Sequence, residues 1–217
     1  MFDLDPALGT TSSQPLRLVA LGAHADDLEI GAGGTVARLL AERPHTEVEW
    51  VVFSASGPRE DEARAAAADL LAGAASVRVH LESFRDGFFP TEAEAIKQFA
   101  KQELESVRPH LVLAHRLGDA HQDHRVVADL AWQTFRGATV AAYEIPKWDG
   151  DLDRPNAYVT LDEATMVRKI DVLDAHFPSQ KTKPWYDAET FRGLARVRGV
   201  EAGARYAEAF HCRKLVW

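Results

Sequence analysis

Apolar positions along the chain fall into short continuous runs that alternate with stretches of helical period. Residues 16–24 (LRLVALGAH) form one such run ending in a polar cluster, the pattern of a buried parallel strand that delivers functional groups at its carboxyl end. Gly31, Gly33 and Gly34, followed by apolar Val36, Leu39 and Leu40 with Pro44 beyond, predict a helix opening on a glycine-rich turn. The alternation repeats: strand 48–56, alanine-rich helix 64–74, strand 77–83, amphipathic helix 91–107 with Thr91 and Glu94 as a capping box, strand 110–116. The second half is less regular. It predicts a helix over 124–136, a strand over 138–146 stopped by Pro146, and a polar loop over 147–156. An amphipathic helix over 162–176, a connector over 178–184 and a long helical stretch over 188–210 weakened by three glycines complete it. The βαβαβαβ order argues for the α/β class: a single Rossmann-like domain whose mostly parallel sheet is flanked by helices on both faces. Residues 1–15 are expected to be a loosely ordered leader and residues 16–217 the domain.

Length and composition agree with one ordinary domain. The chain has 217 residues, of which 46% are hydrophobic and 27% charged, which excludes a disordered or collagen-like protein. Lys and Arg number 25 against 33 Asp and Glu, a formal charge of −8, and no basic block exceeds two residues, so nucleic acid is not an expected partner. No apolar run approaches the roughly 18 residues that would span a bilayer, and the first fifteen residues lack the basic and apolar regions of an export signal. The lone Cys212 cannot form an internal disulfide. A cytoplasmic setting without a membrane partner is the expectation.

The candidate chemistry sits where strands end. His24-Ala25-Asp26-Asp27 closes the first strand, and the mutual repulsion of its adjacent carboxylates is relieved by a divalent cation or, more plainly, by one of them capping a turn. His121-Gln122-Asp123-His124 follows the fourth strand, with histidines three apart that share a face if a helix begins there. Both clusters fall on the edge of the sheet where open α/β folds bind ligands. Imidazoles with one carboxylate suit zinc, one ion per chain, whereas magnesium would want more oxygen. Counting donors gives two His and one Asp as ligands and leaves an Asp and a His for acid–base work; spacing alone does not say which.

The AHADDLEIGAGGT segment paired with the downstream HQDH resembles the PIG-L (LmbE-like) family of zinc-dependent N-acetyl-sugar deacetylases, whose signature is A-H-P-D-D followed by H-x-x-H. Glu29, Gly31 and Gly33-Gly34-Thr35 resemble the family's continuation, and RYAEAF (205–210) a segment near its C-terminus, so the likeness extends over most of residues 16–210. Ala25 replaces the family's usual proline, which loosens the turn and removes no ligand. The resemblance implies His24, Asp27 and His124 as zinc ligands and Asp26 as general base. It implies His121 as the group that stabilises the oxyanion or protonates the departing amine, oriented by Asp123. The substrate it implies is an N-acetylated amino sugar of the N-acetylglucosamine type or a glycoconjugate of one, with acetate and a free amine as products.

Other residues have weaker claims. Arg59 and Glu62 after the second strand are candidates to hold a sugar hydroxyl or phosphate, with a solvated helix start as the plain alternative. Trp148 and Asp149 are candidates to stack on and bond to a sugar ring, although a Trp beside Pro146 also serves as a packing anchor. His115 lies near enough to His121 in the pattern to support the ligands, while His45, His80, His110, His176 and His211 share no motif. The glycines do not make a dinucleotide fingerprint, because HADD intervenes between strand and glycines. Two rivals remain at this level: an amidohydrolase on a non-sugar amide, and a catalytically silent sugar- or nucleotide-binding module, against which the intact donor set speaks. A homo-oligomer is left open.

Overall fold

The computed structural model describes residues 14–214; most of the expected leader lies outside them. Seven strands form one sheet: β1 (Arg17–His24), β2 (Glu47–Ser54), β3 (Ser76–Leu81), β4 (Leu111–His115), β5 (Thr139–Tyr143), β6 (Ala157–Leu161) and β7 (Tyr206–Cys212), in the spatial order β3-β2-β1-β4-β5-β7-β6. The first five are parallel, and β7 runs antiparallel to both its neighbours. Six α-helices accompany them among the described residues: α1 (Asp27–Glu42), α2 (Pro58–Leu70), α3 (Phe89–Phe99), α4 (Gln122–Thr134), α5 (Glu163–His176) and α6 (Ala188–Glu201). A single α/β domain with a mostly parallel sheet is therefore what the run-and-period pattern predicts and what the chain forms.

Successive residues of the central strands explain the two layers. Leu18 and Ala20 of β1, with Val48, Trp50 and Val52 of β2, pack under α1, α2 and α5, while Val19, Leu21 and Ala23, with Val51 and Phe53, pack under α3 and α4. The chain winds from β1 outward through β2 to β3, then crosses back to β4 on the other side of β1. The segments leaving β1 and β4 consequently diverge, and the crevice between them is the topological switch point of the sheet. HADD leaves β1 there and HQDH follows β4 there.

Several expectations need correction. Gly31, Gly33 and Gly34 do not form a turn: α1 starts at Asp27, and the glycines lie inside it. A Cβ on Gly31 would lie 2.2 Å from the Tyr143 ring, and one on Gly34 would lie 2.5 Å from Leu161, so these positions let the helix press against β5 and β6. The helix expected at 64–74 spans Pro58–Leu70, with Pro58 at the start of its first turn. The helix expected at 91–107 begins at Phe89 and passes into a π turn at Ala100–Leu104. Its capping box does not form, since the Thr91 hydroxyl donates to the Phe88 carbonyl and Glu94 pairs with Gln98. The long helical stretch breaks at Gly203, whose φ of +67° favours glycine, and residues 206–212 form β7 instead. Strand β6 falls where no element is predicted. No described helix is long and apolar enough to cross a membrane.

Candidate metal centre

His24 is the last residue of β1, Asp26 the N-cap of α1 and Asp27 its first residue. Asp26 makes no side-chain cap bond, which leaves its carboxylate free of the helix, whereas Asp27 Oδ2 accepts the His24 backbone N–H at 2.7 Å. On the other wall, His121 caps α4 and His124 lies in its first turn.

Three donor atoms converge across the crevice. His24 Nδ1 lies 3.2 Å from His124 Nε2 and 3.3 Å from Asp27 Oδ2, and His124 Nε2 lies 3.5 Å from Asp27 Oδ2. The edge of a tetrahedron built on metal–ligand bonds of about 2.0 to 2.2 Å is about 3.3 to 3.6 Å, so the spacing fits a cation held by these three atoms with a fourth position open. Their partners fit as well. The far nitrogen of His24, Nε2, faces Asp86 Oδ1 at 3.1 Å and Asp123 Oδ2 at 3.3 Å, and that of His124, Nδ1, faces Asp119 Oδ2 at 3.0 Å. A carboxylate on the outer nitrogen fixes the tautomer and turns the inner nitrogen toward a metal.

Asp123 thus has a different place from the one expected. Its carboxylate holds His24 and accepts the backbone N–H groups of Gly87 and Phe89, and it is the Asp123 backbone N–H, not the carboxylate, that reaches His121 Nδ1, at 3.2 Å. That bond leaves the ring proton of neutral His121 on Nε2. The His121 ring stacks on His124 with centroids 4.6 Å apart and meets His24 edge-on at 4.9 Å.

Burial and charge separate the two adjacent aspartates. Burial and the neighbouring Asp27 charge push the Asp26 carboxyl up, against the pull of Arg59, whose Nη2 lies 2.9 Å from Asp26 Oδ1. Burial also acts on Asp27, yet His124, His115 and His24 outweigh it and hold that carboxyl well below the usual range. For His24, burial is outweighed by Asp27, Asp123 and Asp86, so its ring is held well above the ordinary histidine value; burial and His115 push His124 down to about 4. The carboxylates that raise His24, Asp27 foremost, are ones that a bound cation would also satisfy.

The remaining candidates divide. Arg59 joins the site through Asp26 and approaches Asp86 at 3.7 Å. Glu62 spends both oxygens on Ser179, its backbone N–H and its hydroxyl, and anchors the short 3₁₀ turn Pro178–Gln180. Trp148 is 69% exposed on the loop between β5 and β6, and the neighbouring Asp149 approaches Lys147 at 3.6 Å. His115 is fully buried, stacked on His124 at 3.8 Å, with Nε2 accepting the Ala23 N–H and lying 3.2 Å from Asp27 Oδ2. His80, His110, His176 and His211 lie against Glu49, Arg17, Asp69 and Glu144, away from this centre. Asp86, Asp119 and Tyr143, whose hydroxyl lies 3.1 Å from His115 Nε2, are additions that the motif pattern does not mark. Asp119 stands five residues before His124 in the loop leading to HQDH, a local signal; Asp86 reaches the site from the β3–α3 loop and carries none.

A mostly parallel α/β sheet with three His/His/Asp donors gathered at its switch point defines an α/β protein whose carboxyl edge carries a group that could hold a metal ion. More narrowly, the chain belongs to the PIG-L family, described as GlcNAc-PI de-N-acetylase, whose model matches residues 19–135, more than half of the sequence. Solved structures share the whole fold. The conserved protein TT1542 from Thermus thermophilus is 24% identical, with 93% of this chain and 96% of that one covered and a TM-score of 0.73. An N,N'-diacetylchitobiose deacetylase from Pyrococcus horikoshii is 21% identical, covering 96% and 89%, with a TM-score of 0.69. The 4-carboxy-2-hydroxymuconate hydratase GalB from Pseudomonas putida, 21% identical over 92% and 96% with a TM-score of 0.64, shows that this fold also carries a different reaction.

Proposed function

We propose that the protein is a zinc-dependent deacetylase that hydrolyses the acetamide of an N-acetylated amino sugar or its glycoconjugate, with His24, Asp27 and His124 as the ligands of one ion. The observation that carries this reading is the near-tetrahedral spacing of three donors beside a buried carboxylate, Asp26, that is not one of them. Zinc supplies Lewis-acid polarisation of the amide carbonyl and acidification of a water. The chain's own groups do the rest. Asp26 accepts the proton of the attacking water as its oxygen bonds to the carbonyl carbon. Nε2–H of His121 donates a hydrogen bond to the oxygen that gains negative charge, and the proton taken up by Asp26 passes to the nitrogen as the C–N bond breaks. Acetate and the free amine leave. Arg59 orients Asp26 and, with Asp86, offers polar groups to sugar hydroxyls at the rim; Trp148 offers an exposed ring face.

The family match favours an amide over the hydratase chemistry of the GalB neighbour. Purified protein should contain close to one equivalent of zinc and release acetate from N-acetylglucosamine or from an N-acetylglucosaminide. Acetate release from simple N-acetyl amines but from no sugar would replace the sugar with a non-sugar amide; zinc with no acetate from either would refute the deacetylase reading.

A further inference from the structure

The loop between β5 and β6 carries a lysine that does not behave as a loop lysine. Lys147 has only 6% of its side chain exposed, and its Nζ lies 3.0 Å from Asp119 Oδ1, 3.2 Å from Asp151 Oδ1 and 3.6 Å from Asp149 Oδ2. Asp119 in turn is almost wholly buried and holds two parts of the candidate centre. Its Oδ1 accepts the His121 backbone N–H at 2.8 Å, and its Oδ2 faces His124 Nδ1 at 3.0 Å. Asp151 closes the arrangement by accepting from the Ala120 backbone N–H at 2.7 Å and from Arg116. The segment from Arg116 to His121, which sets the entry of α4, is therefore strapped to the following loop by ion pairs.

We propose that Lys147 is a positioning residue for the metal centre, acting through Asp119 on the His124 ring and the His121 backbone. A buried carboxylate without a counter-charge is costly and relaxes toward water or another donor. Lys147 supplies that charge from the side opposite His124, so Asp119 keeps one oxygen on each task. Small displacements matter here, because ligand and acid–base geometry tolerate little misplacement. The exposed Trp148, next in sequence, is placed by the same strap, so the loop offered to substrate and the ligand held on α4 share one anchor.

The inference rests on the zinc-dependent reading above, and its test is separable from it. Zinc affinity of the full chain is measured by competition with a chelating dye, alongside melting in chelator, for wild type, K147M, K147R, D119N and the double variant. K147M should weaken zinc by about tenfold and D119N by about 10- to 100-fold, the usual range for groups behind a ligand. K147R should lose less than K147M. Added to D119N, K147M should cost nothing further, because a neutral amide needs no ammonium. Unchanged zinc affinity in K147M, losses that simply add in the double variant, or lower melting with zinc affinity intact would overturn the proposal. If K147M fails to fold, the double variant decides: it should fold and bind zinc like D119N, and its failure to fold also overturns the proposal. Wild type that holds no zinc overturns both readings; wild type that holds zinc but releases no acetate overturns the deacetylase reading alone.

Discussion

Asp26 and Asp27 are consecutive, yet one faces Arg59 and the other three imidazoles, and their environments push them in opposite directions. Adjacent titratable groups driven apart in this way mark a division of roles. Asp26→Asn keeps the shape and deletes the proposed proton acceptor. Zinc content should stay near the wild-type level while acetate release falls by roughly two to four orders of magnitude, the contribution of a positioned general base. Asp27→Asn should instead lose zinc first, and excess metal should restore part of its activity but none of that of Asp26→Asn. Asp26→Asn retaining near wild-type turnover would assign proton abstraction elsewhere, His121 first. At this scale the sequence shows the donor types and their two motifs, because both are local. What it does not show is which outer carboxylate serves which ring: Asp123 is one residue from His124 and two from His121, but its Oδ2 faces His24 across the crevice, a pairing decided by the crossover between β1 and β4.

At the scale of elements, the glycines of α1 and the acidic residue of β7 turn out to be one device. Lys169 of α5 donates to the Ile30 carbonyl, and Glu208 of β7 accepts the N–H groups of Gly34 and Thr35, while Lys169 and Glu208 pair at 2.6 Å. A carboxylate and an ammonium thus insert between consecutive turns of α1 and bind it to β7. This joins two segments whose pattern gives no hint of contact, GGT and YAEAF. Strand β7 was illegible for a related reason: an alanine-rich sequence after a helix favours helix locally, and the ladder that overrides it comes from β5 and β6, distant in sequence. Gly31→Ala should be destabilising by about 1 to 3 kcal/mol, since its Cβ would enter the Tyr143 ring. Gly33→Ala meets its nearest neighbour at 3.7 Å and should be neutral or stabilising by up to about 1 kcal/mol through helix propensity. Urea midpoints with unchanged slopes would check both; equal loss at the two positions would refute the close-approach account.

Across the whole molecule, the candidate centre ties together the two halves of the winding. His24 and Asp27 belong to the β1–α1 unit and His124 to α4 after β4, and on that edge of the sheet these units are joined by side chains and not by strand pairing beyond Ala20 with Leu113. An ion bound by all three is available only to the folded chain, so its binding free energy adds to stability by mass action. At free zinc of about 100 times the dissociation constant this is about 2.7 kcal/mol, which for a chain of this size corresponds to a rise in melting temperature of about 5 to 11 °C. Removing metal with a chelator should therefore lower the melting temperature of the wild type by that amount, and restoring zinc should reverse it. His124→Ala should melt at the same temperature with and without chelator, because two donors on one side of the crevice no longer bridge it. Wild type whose melting ignores the chelator would mean that the three donors do not hold an ion together, and a chelator effect of full size in His124→Ala would place the ion among other donors, the His24, Asp86, His121 and Asp123 group being the alternative the structure offers.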